Sequence, residues 1–182
     1  MRREESVMGS IAITKQLPVA VAGLYDAIAR PATWARWSSI HRDFVGEPPE
    51  RLYSGASLVS TVALLGVTGE VRWTVAAAAE PNLIMLSGRG KAGTACEFTY
   101  LLRPVAGGTE LTAGGDFRGP FLTGYVAKAL EQHGREQLDE TLDRLAALVG
   151  TTAAGAEPAA DPRPRRGAAR PSGGHSSEQA QT

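Results

Sequence analysis

The chain has 182 residues, 43% of them hydrophobic, with 19 Lys plus Arg set against 19 Asp plus Glu. That balance leaves no net field to recruit nucleic acid, a membrane surface or an acidic partner. A single cysteine, Cys96, rules out an internal disulfide, and no apolar run is long enough to span a bilayer, so a soluble, reduced, cytoplasmic protein without membrane insertion is expected.

Residues 1–6 read as a flexible N-terminus, followed by alternation from Val7 to Leu17 that predicts a first strand, with Ile11 and Ile13 on one face. Pro18 then opens a short helix in which Val21, Leu24, Tyr25 and Ile28 fall at i, i+3, i+4 and i+7, closed by Pro31. A second helical piece covers Ala32 to Ile40. Its Trp34 and Trp37, three apart, share one side of a turn and are expected to plug one end of the core.

From there to Phe117 turn chemistry recurs at fairly regular spacing: Glu47-Pro48-Pro49-Glu50, Gly66, Glu80-Pro81-Asn82, Gly88 to Gly93 and Gly107-Gly108. Between these lie strands at Arg42 to Gly46, Ala56 to Leu65, Val67 to Ala78, Leu83 to Ser87, Thr94 to Arg103 and Thr109 to Phe117, and the short connections imply an antiparallel meander. Alternation points Val71, Trp73, Val75 and Ala77 inward, with Cys96, Phe98, Tyr100 and Leu102 from one later strand and Leu111, Ala113 and Phe117 from the next.

Gly119 to Val149 predicts one long helix, opened by Pro120 and stopped at Gly150. On an ideal wheel its apolar residues form two stripes, Leu122, Val126, Ala129 and His133 in the first half, Leu138, Leu142, Leu145 and Val149 in the second. Either a bulge near His133 to Arg135, at Gly134, realigns them, or the first half faces a looser region. Residues 7–150 make one domain. Residues 151–182 are dominated by Ala, Gly, Pro, Ser and Arg and read as a disordered tail, its Arg163-Pro164-Arg165-Arg166 run a solvated linker before an anion site.

In this order the chain resembles the START-like superfamily, also called SRPBCC or Bet v 1-like, over residues 7–149. The patch Trp34-Ala35-Arg36-Trp37, the stretch Gly69-Glu70-Val71-Arg72-Trp73-Thr74-Val75, the turn Gly107-Gly108-Thr109-Glu110-Leu111 and Gly119-Pro120 are similar to an actinobacterial branch of the polyketide cyclase/dehydrase and lipid-transport group. Some members of that branch are described as toxins of type II toxin–antitoxin pairs. The resemblance implies an α+β helix-grip fold, a curved seven-stranded antiparallel sheet around the C-terminal helix, with a hydrophobic small molecule held between them. Residues of suitable type to line such a space are Trp37, Trp73, Phe98, Tyr100 and Phe117, Met85 or its neighbours, Leu122 or Tyr125, and His133. A solid core wants the same residues.

Chemistry is sparse. Gly88-Arg89-Gly90-Lys91-Ala92-Gly93 spells a dinucleotide fingerprint, but the pattern that follows, Thr94 to Tyr100, is a strand and offers no helix N-terminus to a pyrophosphate. The three histidines, His41, His133 and His175, sit in unrelated regions, so no metal site and no cofactor is expected. Cys96 reads as a small buried hydrophobe. Carriage of a lipid-like or polyketide-like molecule is the first reading. A polyketide aromatase/cyclase, with Tyr100, His133, Arg118 and Asp116 as acid or base candidates, is the second, and a growth-inhibiting toxin with an antitoxin-like protein partner is the third.

Overall fold

A computed structural model describes residues 8–155. The expected flexible N-terminus, and the tail from residue 156 onward, lie outside the described residues. Seven strands, β1 (Met8–Leu17), β2 (His41–Val45), β3 (Ser57–Leu64), β4 (Val67–Ala79), β5 (Leu83–Arg89), β6 (Ala95–Val105) and β7 (Gly108–Arg118), form one sheet. Its order is β1-β7-β6-β5-β4-β3-β2, and every pairing is antiparallel. The meander therefore holds, with β1 added beside β7 and β2 left as the opposite edge. Between β1 and β2 lie α1 (Val21–Ala29), a 3-10 turn at Pro31–Thr33 and α2 (Trp34–Trp37), and α3 (Gly124–Gly155) closes the domain. This is the expected α+β helix-grip arrangement.

The helix α3 begins later and ends later than its glycines and proline suggest. Pro120 and Phe121 form a turn instead, closed by Leu122 N–H donating to the Gly119 carbonyl at 3.1 Å, and the first helical bond runs from Ala127 N–H to the Thr123 carbonyl at 2.8 Å. Gly150 does not stop the helix. A mid-helix glycine costs only about 1 kcal/mol, and the Thr151 and Thr152 hydroxyls donate back to the carbonyls of Ala147 and Leu148 at 2.8 and 2.9 Å. Residues 151–155, expected to be tail, are thus helical.

The bulge expected at His133 to Arg135 does not form, and α3 is α-helical throughout. One stripe faces inward along its whole length: Ala127, Leu130, Gly134, Leu138, Thr141, Leu142, Leu145 and Val149. Its first half is built of small residues because α3 crosses β1 closely there. A Cβ on Gly134 would stand 3.1 and 3.3 Å from the Ile11 methyl carbons, and one on Gly9 would stand 3.2 Å from Leu130. The conspicuous apolar residues Val126 and Ala129 lie off that stripe, and Leu122 precedes the helix.

Alternation assigns the inner face except where the ladder breaks. A bulge between Val75 and Ala77 resets β4, so Ala78, not Ala77, follows Val75 onto the core and pairs with buried Ile84. The end of the core beneath α1 is fixed by Arg51, which bridges Asp26 and Glu80 and lies over the Tyr25 ring at 5.8 Å.

The β3–β4 connection is a two-residue turn in which Leu65 and Gly66 have φ of +52° and +77°. Such turns suit Asn-Gly, and a leucine there carries a backbone cost on the order of 1 kcal/mol. Leu65→Asn is expected to raise stability by roughly that amount, read as a higher urea midpoint at unchanged slope. Tyr125→Arg, at a residue 85% exposed, is expected to change stability, read from the same midpoint, by less than about 0.5 kcal/mol.

Candidate functional site between sheet and helix

Two small cavities lie side by side under the inner face of the sheet. The first, about 50 Å³, is lined by residues of the α2 region and the sheet, among them Trp34, Trp37, His41, Ser60, Trp73 and Leu86. The second, about 60 Å³, reaches Ile11, Phe117 and the α3 residues Gly134, Gln137, Leu138 and Thr141. Ser38, Ile40, Trp73, Phe98 and Tyr100 line both.

Glycines create the room. Trp73 pairs across the ladder with Gly88, and Phe98 with Gly115. A Cβ on Gly88 would stand 2.7 Å from the Trp73 ring and 2.6 Å from Cys96 Sγ, and one on Gly115 would stand 2.6 Å from the Phe98 ring. Each ring therefore lies where the neighbouring strand has no side chain. The aromatic set is continuous, since Phe98 and Tyr100 centroids are 5.1 Å apart and Trp37 meets Tyr100 edge-on at 6.2 Å. Trp73 is held further by its indole N–H, which donates to Ser60 Oγ at 2.8 Å.

The corner from α2 into β2 is pinned to α3. Ser39 Oγ lies 2.7 Å from Thr141 Oγ1 and donates to the Gln137 carbonyl at 3.1 Å, while Ser39 N–H donates to Thr141 Oγ1 at 3.1 Å. The tryptophans at this end are fixed by backbone and hydroxyl partners, Trp34 Nε1 donating to the Ile28 carbonyl at 2.9 Å and Trp37 Nε1 to Thr33 Oγ1 at 3.0 Å.

Of the residues proposed from sequence, Trp37, Trp73, Phe98, Tyr100 and Phe117 border one or both cavities. Four do not. Met85 is on the outward parity of β5, where Ile84 and Leu86 are the buried neighbours. Leu122 sits in the turn before α3, and Tyr125 projects into solvent. His133 lies in an outer groove of about 430 Å³ with Leu65, Gly66, Ala129, Glu136 and Gln137. Gln137 borders both that groove and the second cavity, and its buried Oε1 has no hydrogen-bond partner among the described residues.

Sequence reasoning passed over His41. A bulge between His41 and Asp43 puts His41 and Phe44, three apart, on the same side of β2, which simple alternation would separate. His41 is 7% exposed and its Nδ1 is buried without a partner among the described residues. Burial holds its pKa below the ordinary histidine value, with Asp43 opposing and Arg42 reinforcing the shift. Burial likewise raises the Tyr100 hydroxyl far above its usual range and the Cys96 thiol to about 11, so both stay protonated at neutral pH. Among the described residues, neither cavity has an Asp, Glu, Lys or Arg in its lining. Asp116 and Arg118 instead border a separate polar cleft with Arg89 and Glu97.

The family model for polyketide cyclase/dehydrase and lipid transport matches residues 8–150. The chain belongs to that family. Among its relatives, the uncharacterized protein Rv1546 of Mycobacterium tuberculosis is 25% identical over 143 residues, 79% of this chain and 100% of that one. A second, named Toxin Rv0910, from the same species, is 28% identical over 109 residues, 58% of this chain and 76% of the relative. Among solved structures, TTHA0849 from Thermus thermophilus superposes with a TM-score of 0.66 at 13% identity, covering 79% of this chain and 98% of that one. SA2116 from Staphylococcus aureus gives a TM-score of 0.64 at 10% identity, covering 82% and 98%. These structures share the SRPBCC-type fold. No helix among the described residues is long and apolar enough to cross a membrane.

Two outcomes follow from the site's construction. Gly88→Ala forces a carbon into the Trp73 ring and Cys96, so it is expected to destabilise by roughly 1–3 kcal/mol and to shift the tryptophan emission. His41 is neutral in the fold but takes a proton in the unfolded chain near pH 6.5 or so. Its contribution is therefore fully present above that pH and is lost as pH falls below it toward the lower folded-state pKa. The urea midpoint is expected to drop between about pH 7 and pH 5, and His41→Phe to flatten that part of the profile.

Proposed function

We propose that this protein binds a hydrophobic small molecule in the space between the sheet and α3. The observation that carries this reading is the pair of adjoining cavities, walled by aromatic rings that glycines leave room for, in a family described by cyclase/dehydrase activity and lipid transport. Pockets for drug-sized ligands run to about 300 Å³ or more. Cavities of about 50 and 60 Å³ are each smaller than the roughly 150 Å³ apolar space that takes a benzene ring, so a guest of even that size needs the two joined. Admission joins the two by movement of the shared wall, Phe98 and Tyr100. Gln137, bordering both the inner cavity and the outer groove, marks the way in.

Membership of the family also supports a cyclase reading, but it finds less here. Of the acid and base candidates expected from sequence, only Tyr100 borders the cavities. Growth inhibition through a protein partner rests on the relative named a toxin and is a separate reading, addressed by inducing the protein in a bacterial host and following growth.

The test of the binding reading is native mass spectrometry of the purified protein with organic extraction, followed by thermal unfolding with small apolar ligands. A ligand at about a hundred times its Kd is expected to raise Tm by roughly 5–10 °C. Val62→Phe, which places a ring in the first cavity, is expected to abolish the shift while leaving the apo protein folded. An apo mass with no shift from any apolar ligand would count against binding.

A further inference from the structure

Seven large apolar side chains stand exposed among the described residues, and four of them, Leu65, Val67, Phe121 and Tyr125, gather at one end of the molecule. Three turns build that end. β3 and β4 run past their neighbours, since β2 begins at His41 opposite Val62 and β5 ends at Arg89 opposite Arg72. The hairpin beyond, with Leu65 and Gly66 at its tip, therefore projects as a two-stranded arm. Its tip shares the outer groove with Ala129, one helical turn on from Tyr125. The β5–β6 turn joins the arm to the turn before α3. A Cβ on Gly90 would stand 3.7 Å from the Glu70 carbonyl oxygen, one on Gly93 3.9 Å from Pro120, and one on Gly119 3.3 Å from Thr94.

Charge is sorted around this end. Ser57 to Gly69 and Gly119 to Ala127 carry none, and Gly90 to Thr94 carries only Lys91. Directly behind these segments the ladder sets Arg72 opposite Arg89, with Arg89 and Arg118 on either side of Ala95. Two residues further from the tips, Glu97 stands opposite Asp116. Like charges directly opposite one another destabilise a sheet. Swapping one arginine with one of these acids would relieve both rows, yet the charges stay apart. Among the described residues none of the three arginines makes an ion pair, and Glu70 is the one acid of the sheet ahead of their row, offset by Lys91. The even balance of the whole chain conceals this cationic row. Leu65 is a second, independent sign: its φ of +52° is a conformation that suits asparagine or glycine, so leucine costs the fold there while its side chain stays partly exposed.

We propose that this end is a peripheral membrane contact, in which Leu65, Val67, Phe121 and Tyr125 enter the headgroup region of a bilayer and Arg72, Arg89 and Arg118 meet anionic lipid headgroups. Apolar tips backed by cations are the pattern that holds a protein at such a surface without spanning it. Three separate turn tips suit a deformable surface, whereas a folded protein partner would need a continuous complementary face. Leu65 also borders the outer groove, so an apolar guest leaving the bilayer meets that groove directly. Contact with the bilayer needs nothing bound in the interior, and so it stands or falls apart from the ligand reading.

The experiment is flotation of the full chain with vesicles of phosphatidylcholine alone and of equal parts phosphatidylcholine and phosphatidylglycerol. Binding is expected to the anionic vesicles and is expected to weaken with salt. Arg72→Ser and Arg89→Ser should each lower the partition coefficient about fivefold. Leu65→Asn combined with Phe121→Ser should lower it about tenfold or more. The urea midpoint of that double variant should not fall, because Leu65→Asn relieves the turn, so lost binding cannot be mistaken for lost folding. No flotation with either vesicle would overturn the proposal, as would flotation that ignores lipid charge or survives these substitutions. Flotation lost instead when Arg163, Arg165 and Arg166 are changed to serine would overturn it too. So would a wild-type dimer in sedimentation that the apolar substitutions dissociate, since the tips would then join two copies of the chain. Thermal shifts with apolar ligands are read without vesicles, which keeps failure of this contact distinct from failure of ligand binding.

Discussion

Two large rings laid across two glycines set the shape of this protein's interior. Trp73 over Gly88 and Phe98 over Gly115 are cross-strand pairs in which one partner has no side chain, so the ring of the other occupies the vacated surface of the sheet. Were either glycine any other residue, the ring would have to stand up into the space beneath α3 and fill it. The same device recurs where α3 crosses β1, Gly134 against Ile11, which lets the helix come close at one point while space remains beside it. The cavities are thus the remainder left by flat aromatics on one side and a close helix crossing on the other. Their small size follows from that.

The helix and the corner before β2 complete the enclosure by hydrogen bonding rather than by apolar packing alone. Ser39 meets Thr141 and the Gln137 carbonyl, so the middle of α3 is tied to the tryptophan-bearing segment. Moving the helix outward would break these bonds before it disturbed the core formed by Leu142, Leu145 and Ile28, which is fully buried beneath the other end. The half of α3 before Gln137 therefore has the greater freedom to admit a guest, and the outer groove lies along that half.

Much of this fold could be read from the chain. Strand boundaries fell within a few residues because Gly and Pro turn chemistry is local, and inward faces followed wherever the ladder was regular, as for Trp73 with Val75 and Phe98 with Tyr100. What escaped was non-local. The bulges that redirect His41 and Ala78 leave no mark in composition, since each depends on which residue the neighbouring strand sets opposite. The inward stripe of the first half of α3 was hidden because Ala127 and Gly134 are small, whereas Leu122 and Val126 look like core and are not. His133 was proposed for the interior from the stripe Leu122, Val126, Ala129 and His133, and Tyr125 as an alternative to Leu122, but Tyr125 projects into solvent and His133 lies in the outer groove. Pro120 and Gly150 carried ordinary start and stop signals, yet Pro120 falls in the turn before α3 and the helix runs on through Gly150. Belonging to the polyketide cyclase/dehydrase and lipid transport family fits what was legible, but the polar side of the cavity, His41 with Ser60, was visible only once the strands were paired.

The claim at the centre of this account is that the interior holds real apolar space rather than a solid core, and xenon addresses it without assuming any natural ligand, since it enters dry apolar cavities and ignores filled ones. Crystals of the protein pressurised with xenon should show the atom bound beside Trp73, Phe98 and Tyr100, and it should be absent from crystals of Val62→Phe at the first cavity. Xenon confined to the outer groove, with none between the sheet and α3, would contradict the account.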